Sequence, residues 1–205
     1  MNVAIIGNGN VGTALGQALG RCGHQVNFGV RSPSPGATNE STIPEAIRQS
    51  HATILAVPFA AVTEIIKSAG DLSGKVLIDA TNPLGMIDGG LGLTMGYSTS
   101  GAEQIAALAP GALLFKAFNQ TGFENMADAR QYAVQPVMFV AGDDPTGKQT
   151  VISLVSDAGF DAVDLGGLRH ARLLEPLAML WIELARKRGR GSDFTFSLQQ
   201  KGSTL

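Results

Sequence analysis

Three glycines near the N-terminus have the residue type and the spacing that nucleotide-phosphate binding requires. Gly7, Gly9 and Gly12 form a G-x-G-x-x-G pattern that directly follows the apolar run "VAII" and opens a helical pattern. In this arrangement the first glycine makes a tight turn, the second lets the backbone approach a pyrophosphate, and the third lets the helix pack on the strand. The N–H groups at the helix start then face the phosphates. The predicted phosphate-binding residues are Gly7, Asn8, Gly9, Asn10, Val11 and Gly12.

The second predicted strand, "QVNFGV", ends at a positive charge where many dinucleotide-binding proteins have an acid. In NAD-binding proteins an Asp or Glu about 20 residues after the glycines accepts hydrogen bonds from the 2′-hydroxyl of the adenosine ribose. This chain has Arg31 and Ser32 at that place. A guanidinium can pair with a 2′-phosphate and stack on adenine, and a hydroxyl can donate a hydrogen bond to the phosphate. We therefore predict that Arg31 and Ser32 select NADP(H) over NAD(H).

Short clusters with polar residues follow the third, fourth and fifth predicted strands, in "AVPFAA", "ATNPLG" and "KAFNQTG". Pro58 and Pro83 end their strands, and Asn82 and Asn119 supply neutral hydrogen-bonding groups. The carboxyl ends of parallel strands face the ligand crevice of an open sheet. The three clusters therefore predict a pocket for the nicotinamide and a second substrate.

The elements that must position these residues alternate between strand and helix along most of the chain. This alternation predicts an α/β fold of the Rossmann type, with a doubly wound, mainly parallel sheet. We expect seven strands, an NADP-binding domain over residues 1–166 and a small helical C-terminal extension over residues 167–205. Between Asn82 and Thr99 the chain is too glycine-rich for a helix and too apolar for a solvated linker. We expect this long segment to form a lid or a pocket wall.

The C-terminal region has a helical pattern from Leu168 to Arg188, with a break or kink expected at Pro176. One face of this helix is predicted to be apolar and to carry Leu173, Leu177, Leu180, Trp181 and Leu184. Such a face either covers the sheet of its own chain or packs against a second subunit.

Composition excludes several classes of function. The 205 residues include 15 Lys and Arg against 17 Asp and Glu, so no overall field attracts nucleic acid or an anionic membrane. The N-terminus has no basic region and its apolar run is too short for a signal peptide or a membrane span, so a cytoplasmic protein is expected.

Cys22 is the single cysteine, and no cluster has metal-ligand spacing. Hydride transfer between two bound rings, which needs no strong acid or base, fits these residues.

The ordered motifs resemble one family over nearly the whole chain. "VAIIGNGNVGTALGQALGRCGH", "ATILAVPFAAV", "VLIDATNPLG", "STSGAEQIAALAPGALLFKAFNQTG", "VAGDD" and "GGLRHARLLEPLAMLWIELA" follow the pattern of NADPH-dependent coenzyme F-420 reductases. The cytosolic reductase domains of the STEAP metalloreductases look similar. The resemblance implies a Rossmann domain with a helical C-terminal extension, a homodimer formed through the C-terminal helices, and hydride transfer between NADP(H) and a deazaflavin or flavin.

The resemblance also implies roles for individual residues. Ala56, Val57 and Pro58 would line the nicotinamide site, and Asn119 would orient the ring partner. Asn119 stands where the archaeal reductases tend to have histidine, so F-420, FMN, FAD or another small acceptor is the expected second substrate. Two alternatives stay open: a non-catalytic NADP-sensing protein, and an imine reductase of the pyrroline-carboxylate type, which shares the N-terminal pattern.

Overall fold

The apolar run that follows Met1 forms a strand, β1 (Asn2–Ile6), whose two faces enter different hydrophobic cores. Val3 and Ile5 belong to one core, and Ala4 and Ile6 belong to the other. A strand that helices cover on both faces must be apolar at every position, which explains why the run lacks polar alternation. The structure is a computed structural model and describes residues 1–202.

Ten strands and seven α-helices make up the regular structure of these residues. The remaining strands are β2 (Gln25–Val30), β3 (Glu40–Thr42), β4 (Ala52–Leu55), β5 (Val76–Asp79), β6 (Leu84–Ile87), β7 (Gly90–Leu93), β8 (Leu113–Lys116), β9 (Val137–Gly142) and β10 (Asp161–Gly166). The helices are α1 (Asn10–Arg21), α2 (Ile43–Gln49), α3 (Phe59–Ala69), α4 (Gly101–Leu108), α5 (Phe123–Met126), α6 (Pro145–Asp157) and α7 (Ala171–Ile182).

The main sheet has eight strands in the order β10-β9-β8-β5-β4-β1-β2-β3. One face is covered by α1 and α6, and the other by α2, α3, α4 and the start of α7. The chain runs outward from β1 to β2 and β3, then returns to the other side of β1 to form β4 and β5. A doubly wound sheet of this kind has its ligand crevice where the strand order reverses, here at the carboxyl ends of β1 and β4. The predicted Rossmann-type fold is confirmed.

Strands β9 and β10 run against the rest of the sheet. β9 pairs with β8 in the antiparallel sense, whereas β10 is parallel to β9. The connection from β8 to β9 contains only the four-residue α5 and a short 3₁₀ turn, and it does not form the crossover helix that a parallel connection uses. The sheet is therefore mainly parallel, as predicted, but its two strands β9 and β10 run in the opposite direction to the others.

Two regions add strands to the seven that the sequence predicts. Three residues, Glu40–Thr42, pair with the edge of β2 and become the eighth strand of the main sheet. The glycine-rich segment after Asn82 folds into an antiparallel hairpin of β6 and β7. This hairpin lies beside α7, and Lys187, which follows α7 in the chain, donates a hydrogen bond from Nζ to the Leu91 carbonyl at 3.3 Å.

Helix α7 buries a different face from the one that the leucine spacing predicts. Its buried side carries Ala171, Leu174, Glu175, Ala178 and Trp181. Leu173 and Leu180 are 60% and 50% exposed. The helix also continues through Pro176, with no break there, and ends in a π-helical turn over Glu183–Lys187. The packed face thus includes two alanines and a buried acid, which carry little hydrophobic signal, beside Leu174 and Trp181.

The C-terminal residues pack against the Rossmann domain. Asn125 Nδ2 donates hydrogen bonds to the carbonyls of Ser192 and Phe194, and the Trp181 ring stacks on Phe194 with ring centroids 5.3 Å apart. The division into residues 1–166 and 167–205 stays a prediction, and residues 203–205 lie outside the described part. Within residues 1–202, no helix is long and apolar enough to cross a membrane.

Candidate functional site

The turn after β1 depends on two of the three motif glycines for its shape. Gly7 has a φ of +101°, a conformation that residues with a Cβ rarely adopt. A Cβ on Gly7 would lie 2.7 Å from the Ala56 carbonyl oxygen, and a Cβ on Gly12 would overlap the carbonyl oxygen of Gly7. The turn and the helix–strand packing therefore require glycine at these two positions.

Gly9 differs from the other two because its surroundings are open. A Cβ at this position would meet no atom within 4 Å. Gly9 is the N-cap of α1, and this helix has no side-chain cap and no acidic residue in its first turn. The first N–H groups of α1 and the positive end of its dipole are therefore available to an anion. The open space beside Gly9 and the uncapped helix start fit the pyrophosphate of a dinucleotide.

A cleft of about 760 Å³ lies at the carboxyl ends of β1, β2 and β4. Its volume is in the range of pockets that hold small molecules and cofactors. The predicted site residues that line it are Gly7, Asn8, Gly9, Arg31, Ala56, Val57 and Pro58. Asn10, Val11 and Gly12 form the first turn of α1, next in the chain after Gly9, and are not among the lining residues. The β6–β7 hairpin, expected to be a lid or pocket wall, contributes none of the lining residues.

Arg31 supplies the positive charge at the end of β2. Its side chain is exposed at the cleft, it follows Val30, the last residue of the strand, and Ser32 beside it is exposed as well. Within residues 1–202, Arg31 has no ion-pair partner. An exposed guanidinium next to a hydroxyl, at the place where the adenosine ribose lies in this type of fold, can hold a 2′-phosphate.

Asn82 and Asn119 meet at the carboxyl ends of β5 and β8, as the sequence predicts for strand-end residues. Asn119 Nδ2 donates to Asn82 Oδ1 at 3.0 Å and to the Leu174 carbonyl at 3.0 Å, and Asn82 Nδ2 donates to the Asn119 carbonyl at 2.9 Å. Asn119 is only 4% exposed, Pro83 is buried, and neither is among the cleft-lining residues. The side-chain groups of Asn119 are therefore bonded within the protein. The role of Asn119 in orienting a ring stays a prediction.

A buried charge network that the sequence analysis missed lies beside these asparagines. Lys116 Nζ donates to Asp79 Oδ2 at 2.8 Å, to Glu175 Oε1 at 2.9 Å and to the Thr81 carbonyl at 2.6 Å. The three charged side chains are at most 1% exposed. Glu175 also accepts hydrogen bonds from the first N–H groups of α4, at Gly101 and Ala102. A single lysine or acid within a predicted strand or helix carries no signal that its partners are buried with it.

The chain leaves β8 through a strained residue. Phe118 is fully buried and has a φ of +61°, which is unusual for a residue with a bulky side chain. It packs edge-on against Phe160, with ring centroids 6.5 Å apart. This backbone conformation lies directly before Asn119 and Gln120, so it sets the direction in which both side chains enter the protein. Strain of this kind clusters at functional sites.

The residues at the cleft fit NADP(H). Gly7, Gly9 and the start of α1 would hold the pyrophosphate, Arg31 and Ser32 would hold the 2′-phosphate, and Ala56–Pro58 would form the wall beside the nicotinamide. Ala56 and Val57 have apolar side chains and are partly buried, so this wall is largely apolar. Among residues 1–202, no group of three or more His, Cys, Asp or Glu side chains is placed to hold a metal ion.

Comparison with known proteins finds a family model and several relatives that match this chain. Residues 2–83 match the family model described as NADP oxidoreductase, coenzyme F420-dependent. The F420-dependent NADP reductase of Methanothermobacter marburgensis is 28% identical over 211 residues, which cover 90% of this chain and 92% of the reductase. Human metalloreductase STEAP2 is 27% identical over 192 residues, which cover 91% of this chain. The matched region is only 37% of the length of STEAP2.

The fold agrees with a solved structure over almost its whole length. A protein from Arthrobacter sp. FB24, provisionally assigned as an F420-dependent NADP reductase, superposes with a TM-score of 0.88 at 27% identity. The superposition covers 98% of this chain and 100% of that protein. The resemblance predicted from the sequence is therefore confirmed, and residues 2–83, which contain the glycine turn, Arg31 and the Ala56–Pro58 wall, match the model of the coenzyme F420-dependent NADP oxidoreductase family.

Proposed function

We propose that this protein is an NADP(H)-dependent oxidoreductase that transfers hydride between NADP(H) and a deazaflavin or flavin. One observation carries the proposal: the open glycine turn, the uncapped start of α1 and the exposed Arg31 line the same cleft at the switch point of the sheet. The names of the relatives, F420-dependent NADP reductase and metalloreductase, support an oxidoreductase.

The chain's own contribution to such a reaction is binding and orientation. Bound NADPH supplies a hydride at its nicotinamide ring, and the acceptor takes it up without a strong acid or base from the protein. The apolar wall of Ala56 and Val57 would exclude water from the ring, while Arg31 and the glycine turn hold the distant phosphates. Pre-organised binding of both rings is therefore the source of rate acceleration in this proposal.

The acceptor is proposed as F-420, FMN or FAD. The family description, which names coenzyme F420, supports the deazaflavin. The side chains of Asn82 and Asn119 are neutral amides, and each donates a hydrogen bond to the other residue, so neither is a dedicated acid or base for the acceptor. This arrangement agrees with a step in which the protein holds two rings close together.

The decisive experiment is titration with NADPH and NADH, followed by stopped-flow mixing of the NADPH complex with F-420, FMN and FAD in turn. We expect tighter binding of NADPH than of NADH, and oxidation of NADPH by one acceptor. Tight NADPH binding without oxidation by any of the three would contradict the proposed reaction and favour an NADP sensor.

The cofactor preference is tested separately with Arg31→Asp. The exposed aspartate would repel a 2′-phosphate and accept hydrogen bonds from a ribose 2′-hydroxyl. We expect NADPH affinity to fall and NADH affinity to be retained or improved. Unchanged discrimination between the two cofactors, measured by the same titrations, would show that Arg31 does not contact the 2′-phosphate.

We also propose that the protein forms a homodimer through its C-terminal helices. The exposed Leu173 and Leu180 on α7 support this, because large apolar side chains on one helix face are typical of interaction surfaces. Light scattering coupled to size exclusion should give twice the mass of the 21.3 kDa chain. Replacing both leucines with serine should give the monomer mass, and a wild-type monomer would contradict the proposal.

A further inference from the structure

The segment that carries the predicted phosphate contacts is exposed and contains no regular structure. Residues 31–36, from Arg31 to Gly36, are all exposed and connect β2 to the turn before β3. Just after the segment, the Ala37 N–H donates to the Ser34 carbonyl at 3.1 Å. A chain as exposed as this needs additional contacts to hold Arg31 at the cleft.

Glu40 supplies such a contact from β3. Its Oε2 accepts a hydrogen bond from the backbone N–H of Ser34 at 2.8 Å. Its position is fixed by the sheet, because Glu40 pairs with Phe28 of β2 and the Phe28 N–H donates to the neighbouring Asn39 carbonyl at 2.8 Å. Glu40 therefore anchors the exposed segment to a rigid strand.

The other carboxylate oxygen reaches the glycine turn. Glu40 Oε1 accepts a hydrogen bond from Asn8 Nδ2 at 3.3 Å, and Asn8 is one of the residues that line the cleft. One carboxylate thus bridges the turn expected to bind the pyrophosphate and the segment expected to bind the 2′-phosphate. These two binding regions are separate in sequence and belong to different strand ends.

The carboxylate is held in its charged form by the same contacts. The Ser34 backbone N–H keeps the pKa of Glu40 below its usual value, and the Asn8 amide acts in the same direction. Both oxygens accept hydrogen bonds from the protein, so the negative charge of Glu40 lies between the Asn8 side chain and the Ser34 N–H.

We propose that Glu40 is a positioning residue for cofactor choice, which holds the Arg31–Ser34 segment against the glycine turn and thereby strengthens NADPH binding relative to NADH. The inference rests on the proposed NADP(H) function. NADH has no 2′-phosphate for Arg31 to contact, so its affinity depends on the glycine turn and much less on the segment. An acid close to the cleft could instead repel a 2′-phosphate, and this opposite effect would strengthen NADPH binding when Glu40 is removed.

The test is a double-mutant cycle with Glu40→Ala and Arg31→Ala, read out as the dissociation constants of NADPH and NADH. If the competent conformation of the segment falls to about one tenth of the population, the dissociation constant of NADPH rises about tenfold. We expect that rise in Glu40→Ala, with little change for NADH. In the Arg31→Ala background the further effect of Glu40→Ala should vanish, because positions that act through one contact are not additive. Glu45→Ala, at a partly exposed acid on α2, is the matched control and should leave both constants unchanged.

Each of the other outcomes contradicts one statement of this proposal. Tighter NADPH binding in Glu40→Ala would show that the carboxylate repels the phosphate. Equal weakening of NADPH and NADH, or additive effects in the cycle, would show a general structural role. A wild-type protein without preference for NADPH overturns the proposed cofactor choice and this inference together, whereas a preference that is unchanged in Glu40→Ala overturns this inference alone. Thermal unfolding of each variant checks that the affinities are measured on folded protein.

Discussion

The motif glycines have different physical tasks although they belong to one pattern. Gly7 and Gly12 are required by the protein itself, since a Cβ at either position would clash with backbone atoms. Gly9 faces open space, so the folded chain alone does not require glycine there. The spacing of the motif is therefore partly a folding requirement and partly a binding requirement.

Gly9→Val separates these two requirements. The added side chain would project into the space where a pyrophosphate approaches the backbone, so we expect NADPH affinity to fall at least about tenfold. The fold should survive, with a loss of about 1 kcal/mol because valine is a poorer N-cap than glycine. Gly12→Ala is the contrasting variant and should lower the melting temperature strongly. Near-normal NADPH binding by Gly9→Val, in the same titration, would show that the phosphates do not lie at this turn.

At the scale of elements, α4 and α7 are joined by polar contacts at the start of α4. Ser100 caps α4 by accepting a hydrogen bond from the Glu103 N–H at 3.2 Å. Arg172 of α7 then pairs with both carboxylate oxygens of Glu103, at 2.8 and 2.7 Å. This pair holds the pKa of Glu103 below its usual value of 4.5. The position of α7 therefore depends on a charged contact as well as on its buried face.

Arg172→Ala should destabilise the protein near neutral pH, and the difference should disappear in acid. The folded-state pKa of Glu103 is lowered, so the pair's contribution is present above the unfolded value of about 4.5 and is lost as pH falls through the lowered pKa. Melting temperatures of wild type and variant, measured near pH 7 and in acid below the usual pKa of 4.5, should differ more at the first pH than at the second. An equal gap at both pH values would mean that Arg172 acts through packing and not through the ion pair.

At the scale of the whole molecule, one buried lysine joins the sheet to the C-terminal helix. Asp79 ends β5, Lys116 ends β8 and Glu175 lies on α7, so their ion pairs connect parts of the chain that are far apart in sequence. Burial of charges requires that each has partners, and here backbone N–H and carbonyl groups complete the set.

Lys116→Met should therefore be strongly destabilising. It would leave two buried carboxylates without their cation, a change that costs about 3–5 kcal/mol in other proteins. For a chain of this length such a loss lowers the melting temperature by roughly 10 °C. Lys67→Met is the control, since the Lys67–Glu64 pair is 65% and 78% exposed and should contribute little. A melting temperature for Lys116→Met close to that of the control would contradict the role assigned to this network.

Several features follow from the sequence because they depend on local pattern. The apolar run of β1, the glycine turn and the start of α1 are adjacent in the chain, so their relation is readable without a structure. The position of Arg31 directly after β2 is equally local. Together with the alternation of strands and helices, these features predict the fold class and the nucleotide site, and the cleft contains Gly7, Gly9 and Arg31 together.

Other features depend on contacts between distant residues, and only the tertiary structure decided them. The spacing of the leucines in α7 predicts a face through Leu173, yet the folded chain buries Leu174 and Ala178, because packing selects shape as well as hydrophobicity. β3 exists only because the edge of β2 accepts it, and Lys116 and Glu40 acquire their roles from partners many residues away. Local pattern thus determined which elements form and where the phosphates are expected, whereas burial and long-range pairing determined which charged side chains hold the site in place.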